Sequence, residues 1–205
     1  MIERIRAESP HPHARLTGIV YLLYFLTAVL AAILAGHKLV AYGIATNLIA
    51  TSCYLVLTLL FYGLFKPVSR LFSLIGALFG LTGCIVMTLG FFPRVSLPIS
   101  PFLFFGPYCL LIGYLIFRST FLPRLLGVLM ALAGLGWLAF LFPAVAHHLS
   151  ICIEAVGIVA EASLMLWLIV MGVNVQRWNE QASAAGKPAS TGARLRHIRE
   201  PIDSH

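Results

Sequence analysis

Long uncharged apolar runs dominate this chain of 205 residues, of which 60% are hydrophobic and 10% charged. Each run reaches or exceeds the roughly twenty residues that one helix needs to cross a bilayer. Only helices and closed barrels satisfy their backbone groups in lipid, and barrel strands would be short alternating segments. We therefore predict an all-α, six-transmembrane-helix bundle. The runs are Leu16–Gly36, Leu39–Phe65, Leu71–Pro93, Val95–Phe117, Leu125–Ala146 and Leu149–Val173.

The basic residues indicate how this bundle is oriented. Twelve of the fourteen lie before the first run, after the last run, or in the loops after the second and fourth runs, and only Lys38 and Arg94 lie on the opposite side. Cytoplasmic loops of membrane proteins carry the excess of Lys and Arg. The distribution predicts that both termini are cytoplasmic, and it favours a membrane surface over nucleic acid as the partner of the basic residues.

Composition divides the chain into three segments. Residues 1–14 form a polar cytoplasmic leader, residues 15–173 the transmembrane domain, and residues 174–205 a basic cytoplasmic tail. We expect the tail to be disordered beyond Trp178, because it has no sustained apolar period. The first run is longer than the core of a signal peptide, so we expect it to be retained as a span.

Glu154 and Glu161 are the only acidic residues between Glu8 and Glu180, and both lie inside the sixth run. A carboxylate in hydrocarbon is expensive, so an intramembrane glutamate is a candidate functional site. Their spacing of seven places both near one helix face, about 10 Å apart along the axis. Because small residues line that face, we expect it to turn toward the bundle rather than toward lipid.

Polar residues of other spans fall at similar depths. Asn47, Thr51 and Tyr108 lie in the outer or middle part of their runs. Each could hydrogen-bond a protonated Glu161, since burial favours the neutral form of a carboxyl group. With Glu161 and Glu154 they make up the predicted ligand or proton site.

A metal site is a weaker hypothesis. His147 and His148 precede Glu154, but their spacing matches no ligand motif, and interfacial histidines explain them more simply. All four cysteines lie within runs without a C-x-x-C pair, which is typical of packing residues. We expect neither a bound metal nor a cofactor.

Three basic residues flank the cytoplasmic loops at the membrane surface. Arg70 follows the second run, while Arg118 and Arg124 lie between the fourth and fifth. Arginine at this depth pairs with lipid phosphate groups. We therefore expect these side chains to contact lipid headgroups, with the bilayer as the main partner.

Three functions remain open for Glu161. In the function that we favour, the protein binds or translocates a small or lipid-like molecule, and Glu161 serves as a protonation site or as a polar contact for that molecule. Glu161 could instead form a helix-to-helix hydrogen bond in a non-catalytic structural or accessory protein. The third alternative, a lipid-acting enzyme, is the least supported, because no nucleophile–base pair accompanies the glutamates.

Three stretches of the chain resemble a known family. They are Ala14–Leu23, the segment from Phe117 through Trp137 that contains Leu-Pro-Arg-Leu-Leu-Gly, and Glu161–Asn174. Together they resemble the bacterial integral membrane proteins grouped as domain of unknown function 4386, over about residues 14–174.

This resemblance implies a helical bundle in the bacterial inner membrane and no particular activity. Glu161, Arg124, Gly127 and Trp167 fall on the patterned positions of the family, whereas Glu154 does not. Glu161 is therefore the stronger of the two acidic candidates.

Overall fold

The computed structural model describes residues 10–92 and 99–186. Within them the chain forms seven α-helices and no strand. Residues 1–9 of the predicted leader and 187–205 of the predicted tail lie outside the described residues. The helices are α1 (Pro10–Gly36), α2 (Val40–Phe65), α3 (Arg70–Gly90), α4 (Phe102–Arg118), α5 (Arg124–Ala139), α6 (Pro143–Val170) and α7 (Val175–Gly186).

The apolar helices identify the chain as an all-helical integral membrane protein. Four of them, α1, α2, α3 and α6, are long and apolar enough to cross a membrane. Helices α4 and α5 are also apolar but have only 17 and 16 residues. Large apolar side chains such as Leu125 and Ile151 are 68% and 82% exposed, which suits a surface that faces lipid rather than water.

Two predicted spans have different limits in the structure. The run Leu125–Ala146 is divided, because α5 ends at Ala139 and α6 already begins at Pro143. Proline fits the first turn of a helix, where its missing N–H is not needed. The run Val95–Phe117 begins outside the described residues, and in its described part, from residue 99 onward, α4 begins at Phe102, after Pro101.

The six apolar helices form a closed ring. Helices adjacent in the sequence pack against each other, and α6 packs against α1 to complete the circle. At this closing contact Gly18 lies directly against α6, since a Cβ added to it would stand 2.9 Å from the backbone nitrogen of Ile169. The absence of a side chain at Gly18 thus allows the ring to close.

The tightest contact in the ring joins α4 to α5 through two pairs of glycines. A Cβ on Gly113 would lie 2.7 Å from the Gly127 carbonyl oxygen, and a Cβ on Gly127 would lie 2.7 Å from the Gly113 oxygen. Gly106 and Gly134 form the second pair, with corresponding distances of 3.1 and 2.8 Å. The two glycines on each helix are seven residues apart, so both pairs lie on one seam.

Helix α7 was not expected, because the sequence analysis predicted disorder beyond Trp178. Gly172, with φ of 65°, ends α6 in the left-handed conformation that glycine adopts most easily. The chain then turns, and α7 packs against the bundle, where the Trp178 indole N–H donates to the Leu64 carbonyl at 3.1 Å. That carbonyl lies in the last turn of α2, where helix carbonyls lack partners within their own helix.

The loop between α4 and α5 provides further contacts for α7. The Arg177 guanidinium donates to the Thr120 carbonyl at 3.2 Å, and the Thr120 amide donates to the Gln181 side-chain oxygen at 3.3 Å. Helix α7 is therefore fixed across the end of the bundle at which α2 and α4 terminate. Contacts with distant parts of the chain, rather than its own periodicity, account for its order.

The α4–α5 seam can be tested by replacing Gly113 with Val. The new side chain has no room against the Gly127 carbonyl, so we expect a loss of about 1–3 kcal/mol or more. Thermal unfolding in one detergent measures the effect. Gly63→Ala is the matched control, because nothing lies within 4 Å of its added Cβ. A Gly113→Val variant as stable as the control would contradict the close contact.

The attachment of α7 can be tested with Trp178→Phe, which removes one donor and keeps an aromatic ring. We expect the α7 amides to exchange hydrogen about fivefold faster, as the loss of about 1 kcal/mol of hydrogen bonding predicts. Hydrogen-exchange mass spectrometry of residues 175–186 measures this change. Unchanged exchange would mean that the bond to Leu64 does not hold the helix.

Candidate functional site

Glu161 lies on the inner face of α6 and is only 7% exposed. Its neighbours on that face are Gly157, Ala160, Leu164 and Leu168, all of them buried. The small residues allow adjacent helices to approach closely here. The carboxyl group is thereby held among protein side chains and away from lipid.

Two side chains from other helices reach the Glu161 carboxyl group. The Tyr21 hydroxyl of α1 and the Trp137 indole N–H of α5 both lie close enough to the carboxyl group to influence it. Trp137 can reach this position because it packs over Gly157, where an added Cβ would lie 2.8 Å from its ring. Gly157 therefore makes room for the indole beside Glu161.

Tyrosine rings of α1, α2 and α4 pack against one another in the bundle interior. Tyr24 and Tyr54 pack edge to face with ring centroids 4.9 Å apart, and Tyr54 packs against Tyr108 at 5.8 Å. Tyr21, Tyr24, Tyr54 and Tyr108 all lie close enough to Glu161 to interact with it electrostatically. We call these four tyrosines, with Trp137 and Glu161, the aromatic–carboxyl cluster.

Within the cluster, the hydroxyl group of Tyr108 lacks a hydrogen-bond partner in the part of the chain that the structure describes. It is buried and forms no hydrogen bond of acceptable geometry among the described residues. Thr58 is close enough to influence it, but the Thr58 hydroxyl donates to the Tyr54 carbonyl of its own helix at 2.9 Å. An unpaired hydroxyl in a dry interior is unfavourable, so the Tyr108 oxygen is available for a further partner.

Of the predicted site residues, Tyr108 and Glu161 are both buried, whereas Asn47 and Thr51 form bonds within their own helix. The Asn47 amide donates to the Gly43 carbonyl at 3.1 Å, and the Thr51 hydroxyl donates to the Asn47 carbonyl at 2.9 Å. Short polar side chains in membrane helices often bond to the preceding turn. The predicted role of Asn47 and Thr51 beside Glu161 gains no support from these contacts.

The expectation that Glu154 shares the inner face is wrong. Glu154 is exposed, although it lies seven residues before the buried Glu161. In that part of α6 the buried residues are Ile153 and Gly157, so Glu154 lies beside the contact with the neighbouring helices and not inside it. The two glutamates consequently have different surroundings.

The two histidines proposed as weak metal candidates are exposed near the start of α6. The rings of His147 and His148 contact each other edge to face, with centroids 5.1 Å apart. Across residues 10–92 and 99–186, no three His, Cys, Asp or Glu side chains are grouped closely enough to hold a metal ion. The metal hypothesis for His147 and His148 therefore gains no support from the described residues.

The three arginines expected at lipid headgroups are all exposed. Arg70 begins α3, Arg118 ends α4 and Arg124 begins α5. The guanidinium carbon of Arg118 lies 5.9 Å from the Tyr114 ring centroid, and that of Arg124 lies 5.6 Å from the Phe117 ring centroid. These rings hold the cations at the same end of the bundle as α7.

The sequence analysis missed Tyr21, Tyr24, Tyr54 and Trp137 as members of the cluster. The depth of the tyrosines in their runs was a signal that could have identified them, because Tyr and Trp normally concentrate at the two membrane interfaces. Tyr21, Tyr24 and Tyr54 instead lie well inside their apolar runs. Aromatic residues with polar tips at that depth need internal partners, and the buried glutamate is one of them.

Two open grooves lie elsewhere on the surface. One lies along the exposed side of α7, and the other, of about 410 Å³, lies between α1 and α2. The lining of the second groove is apolar except for one serine and one cysteine; it consists of Val20, Leu23, Leu48, Ile49, Ser52, Cys53 and Val56. Neither groove includes Glu161.

Comparison with known proteins gives one match. Neither a curated protein nor a solved structure matches the chain. The family model described as "Domain of unknown function (DUF4386)" matches residues 98–172, which include α4, α5, Trp137 and Glu161. The resemblance inferred from the sequence is thus confirmed for this part of the chain: residues 98–172 match the DUF4386 family model.

Proposed function

We propose that the bundle binds or translocates a small or lipid-like molecule at the aromatic–carboxyl cluster. The observation that supports this proposal is the unpaired hydroxyl of Tyr108, which is buried in the same bundle interior as the Glu161 carboxyl group. In a membrane interior, polar groups of this kind are expensive and mark substrate or proton pathways. A ligand between them would provide the partner that the Tyr108 hydroxyl lacks.

A structural role for Glu161 is the second candidate, and the nearness of Tyr21 and Trp137 favours it. Hydrogen bonds to these two side chains would join α6 to α1 and α5. Bonds of this type between membrane helices contribute about 0.6–2 kcal/mol. In that case the cluster would stabilise an accessory membrane protein and would bind nothing.

For the whole chain we propose six spans in the bacterial inner membrane, with both termini cytoplasmic. The excess of basic residues at one end supports this orientation, and α7 packs at that same end. Arg70, Arg118 and Arg124 would then lie beside the phosphates of the inner leaflet. Helices α4 and α5 are short, so they would span the membrane at a place where it is locally thinner. Arg118 and Arg124, at the ends of these helices, would hold the lipid headgroups closer to the membrane centre there.

The two roles of Glu161 are separated by the pair Glu161→Gln and Glu154→Gln. If the cluster binds a ligand, organic extracts of the purified wild type and of Glu154→Gln contain the same small molecule. Glu161→Gln should lose it, because the amide cannot carry the charge, while remaining about as stable as the wild type. Mass spectrometry of the extracts and thermal unfolding measure both effects.

The structural alternative makes the opposite prediction for the same proteins. No extract would contain a specific small molecule. Glu161→Leu, which removes both hydrogen bonds, would then lower stability by about 1–2 kcal/mol with no other consequence. That pair of results would refute the ligand-binding proposal.

The orientation can be tested by cysteine labelling in a variant that lacks the four native cysteines. We expect a membrane-impermeant maleimide to label His147→Cys from outside intact spheroplasts but not Thr120→Cys. Both positions are exposed in the structure, so a difference in labelling reports on which side of the membrane each one lies. Labelling of Thr120→Cys alone would reverse the proposed topology.

A further inference from the structure

We propose that Arg118, Arg124 and the rings of Tyr114 and Phe117 form a binding surface for one molecule of a phospholipid with two phosphate groups, of the diphosphatidylglycerol type. We call these four residues the arginine–aromatic surface. The inference rests on the proposed placement of the two arginines at lipid phosphates, and it specifies the lipid. It depends on the height of the two arginines, on their free N–H groups, and on the exposed rings that accompany them.

The two arginines lie at nearly the same height on neighbouring helices. Gly113 of α4 and Gly127 of α5 are level with each other, since a Cβ added to either would stand 2.7 Å from the carbonyl oxygen of the other. Arg118 lies five residues after Gly113, toward the end of the bundle at which α4 terminates. Arg124 lies three residues before Gly127, toward the same end, because α5 runs in the opposite direction. At a rise of about 1.5 Å per residue the two Cα atoms differ in height by only about 3 Å, so one lipid can present a phosphate group to each arginine.

Each guanidinium group packs on a ring and has no polar partner among the described residues. The guanidinium carbon of Arg118 lies 5.9 Å from the Tyr114 ring centroid, and that of Arg124 lies 5.6 Å from the Phe117 ring centroid. Within residues 10–92 and 99–186, neither group forms an ion pair or a hydrogen bond. A ring covers only the face of the planar cation, so the N–H groups at its edge stay free to bind phosphate oxygens in pairs.

The charge at this end of the bundle favours an anion. In the described part of the chain Glu180 is the only acidic residue there, and it accepts a hydrogen bond from Gln176 within α7. No carboxylate of the described residues therefore competes with a phosphate group for the two arginines. The basic residues at this end are Arg15, Lys66, Arg70, Arg118, Arg124 and Arg177.

The exposed rings indicate a lipid rather than a soluble anion. Tyr114 and Phe117 are 40% and 50% exposed. Phe72 of α3 packs edge to face on Tyr114, with ring centroids 5.2 Å apart, and so fixes the position of that ring. On α5 the exposed side chains of Val128 and Leu132 continue the apolar surface toward the membrane centre. Acyl chains gain from contact with this surface, whereas inorganic phosphate would gain nothing from it.

Native mass spectrometry of the full-length protein in detergent, titrated with defined lipids, tests the proposal. Diphosphatidylglycerol is compared with phosphatidylglycerol at twice the molar concentration, which provides equal phosphate and equal charge. We expect one molecule of diphosphatidylglycerol to bind at least about fivefold more tightly, and Arg118→Gln or Arg124→Gln to weaken it about fivefold, as the contribution of one basic residue at a lipid surface predicts.

Arg15→Gln is the matched control, because it removes the same charge at the same end of the bundle. It lies near the start of α1, which packs against α2, α6 and α7 and is thus separate from the contact between α4 and α5. This variant should bind diphosphatidylglycerol like the wild type.

The comparison of the two lipids on the wild type requires no variant, so it tests the proposal even if an arginine variant fails to fold. Selective binding of one diphosphatidylglycerol molecule, weakened by either arginine variant but not by Arg15→Gln, supports the proposal. Equal affinity for the two lipids, an equal loss in Arg15→Gln, or no loss in Arg118→Gln and Arg124→Gln overturns it. Those results would leave ligand binding at the aromatic–carboxyl cluster intact, because the extracts of the Glu161 variants test it separately.

Discussion

The close approach of helix backbones is the interaction on which the rest of the bundle depends. Lipid is as apolar as leucine, so helices gain little by hiding apolar side chains from it and must associate through tight packing and polar contacts. Glycine provides that packing at Gly113 and Gly127 between α4 and α5, and at Gly18 where α1 meets α6. The ring closes because these positions carry no side chain.

The surroundings of Glu161 depend on the same close packing. Gly157 lets Trp137 cross the α5–α6 contact, and the indole N–H then reaches the carboxyl group one turn further along α6. Tyr21 approaches from α1, one turn after Gly18. The positions of the polar groups in the interior thus follow from the positions of the small residues. A larger side chain at one of these small residues would displace the polar groups.

The apolar helices could be predicted from the sequence because each fills a run without charges. Their limits were less accurate where proline starts a helix, as at Pro143, where one predicted run is divided between α5 and α6. Helix α7 could not be predicted, since its order depends on the Leu64 and Thr120 carbonyls, which are distant in sequence. Their spacing of seven predicted that Glu154 and Glu161 share one buried face of α6. Glu154 is nevertheless exposed, because the face of a helix that is buried changes along its length. The function of Glu161 stays a prediction.

The attachment of α7 constrains how the bundle can move. Trp178 bonds to the end of α2, and Arg177 bonds to the loop that joins α4 to α5. This short helix therefore bridges two parts of the ring that are not neighbours in sequence. Any motion that spreads those parts at this end must first break both attachments, so α7 acts as a tether whose release would precede opening there.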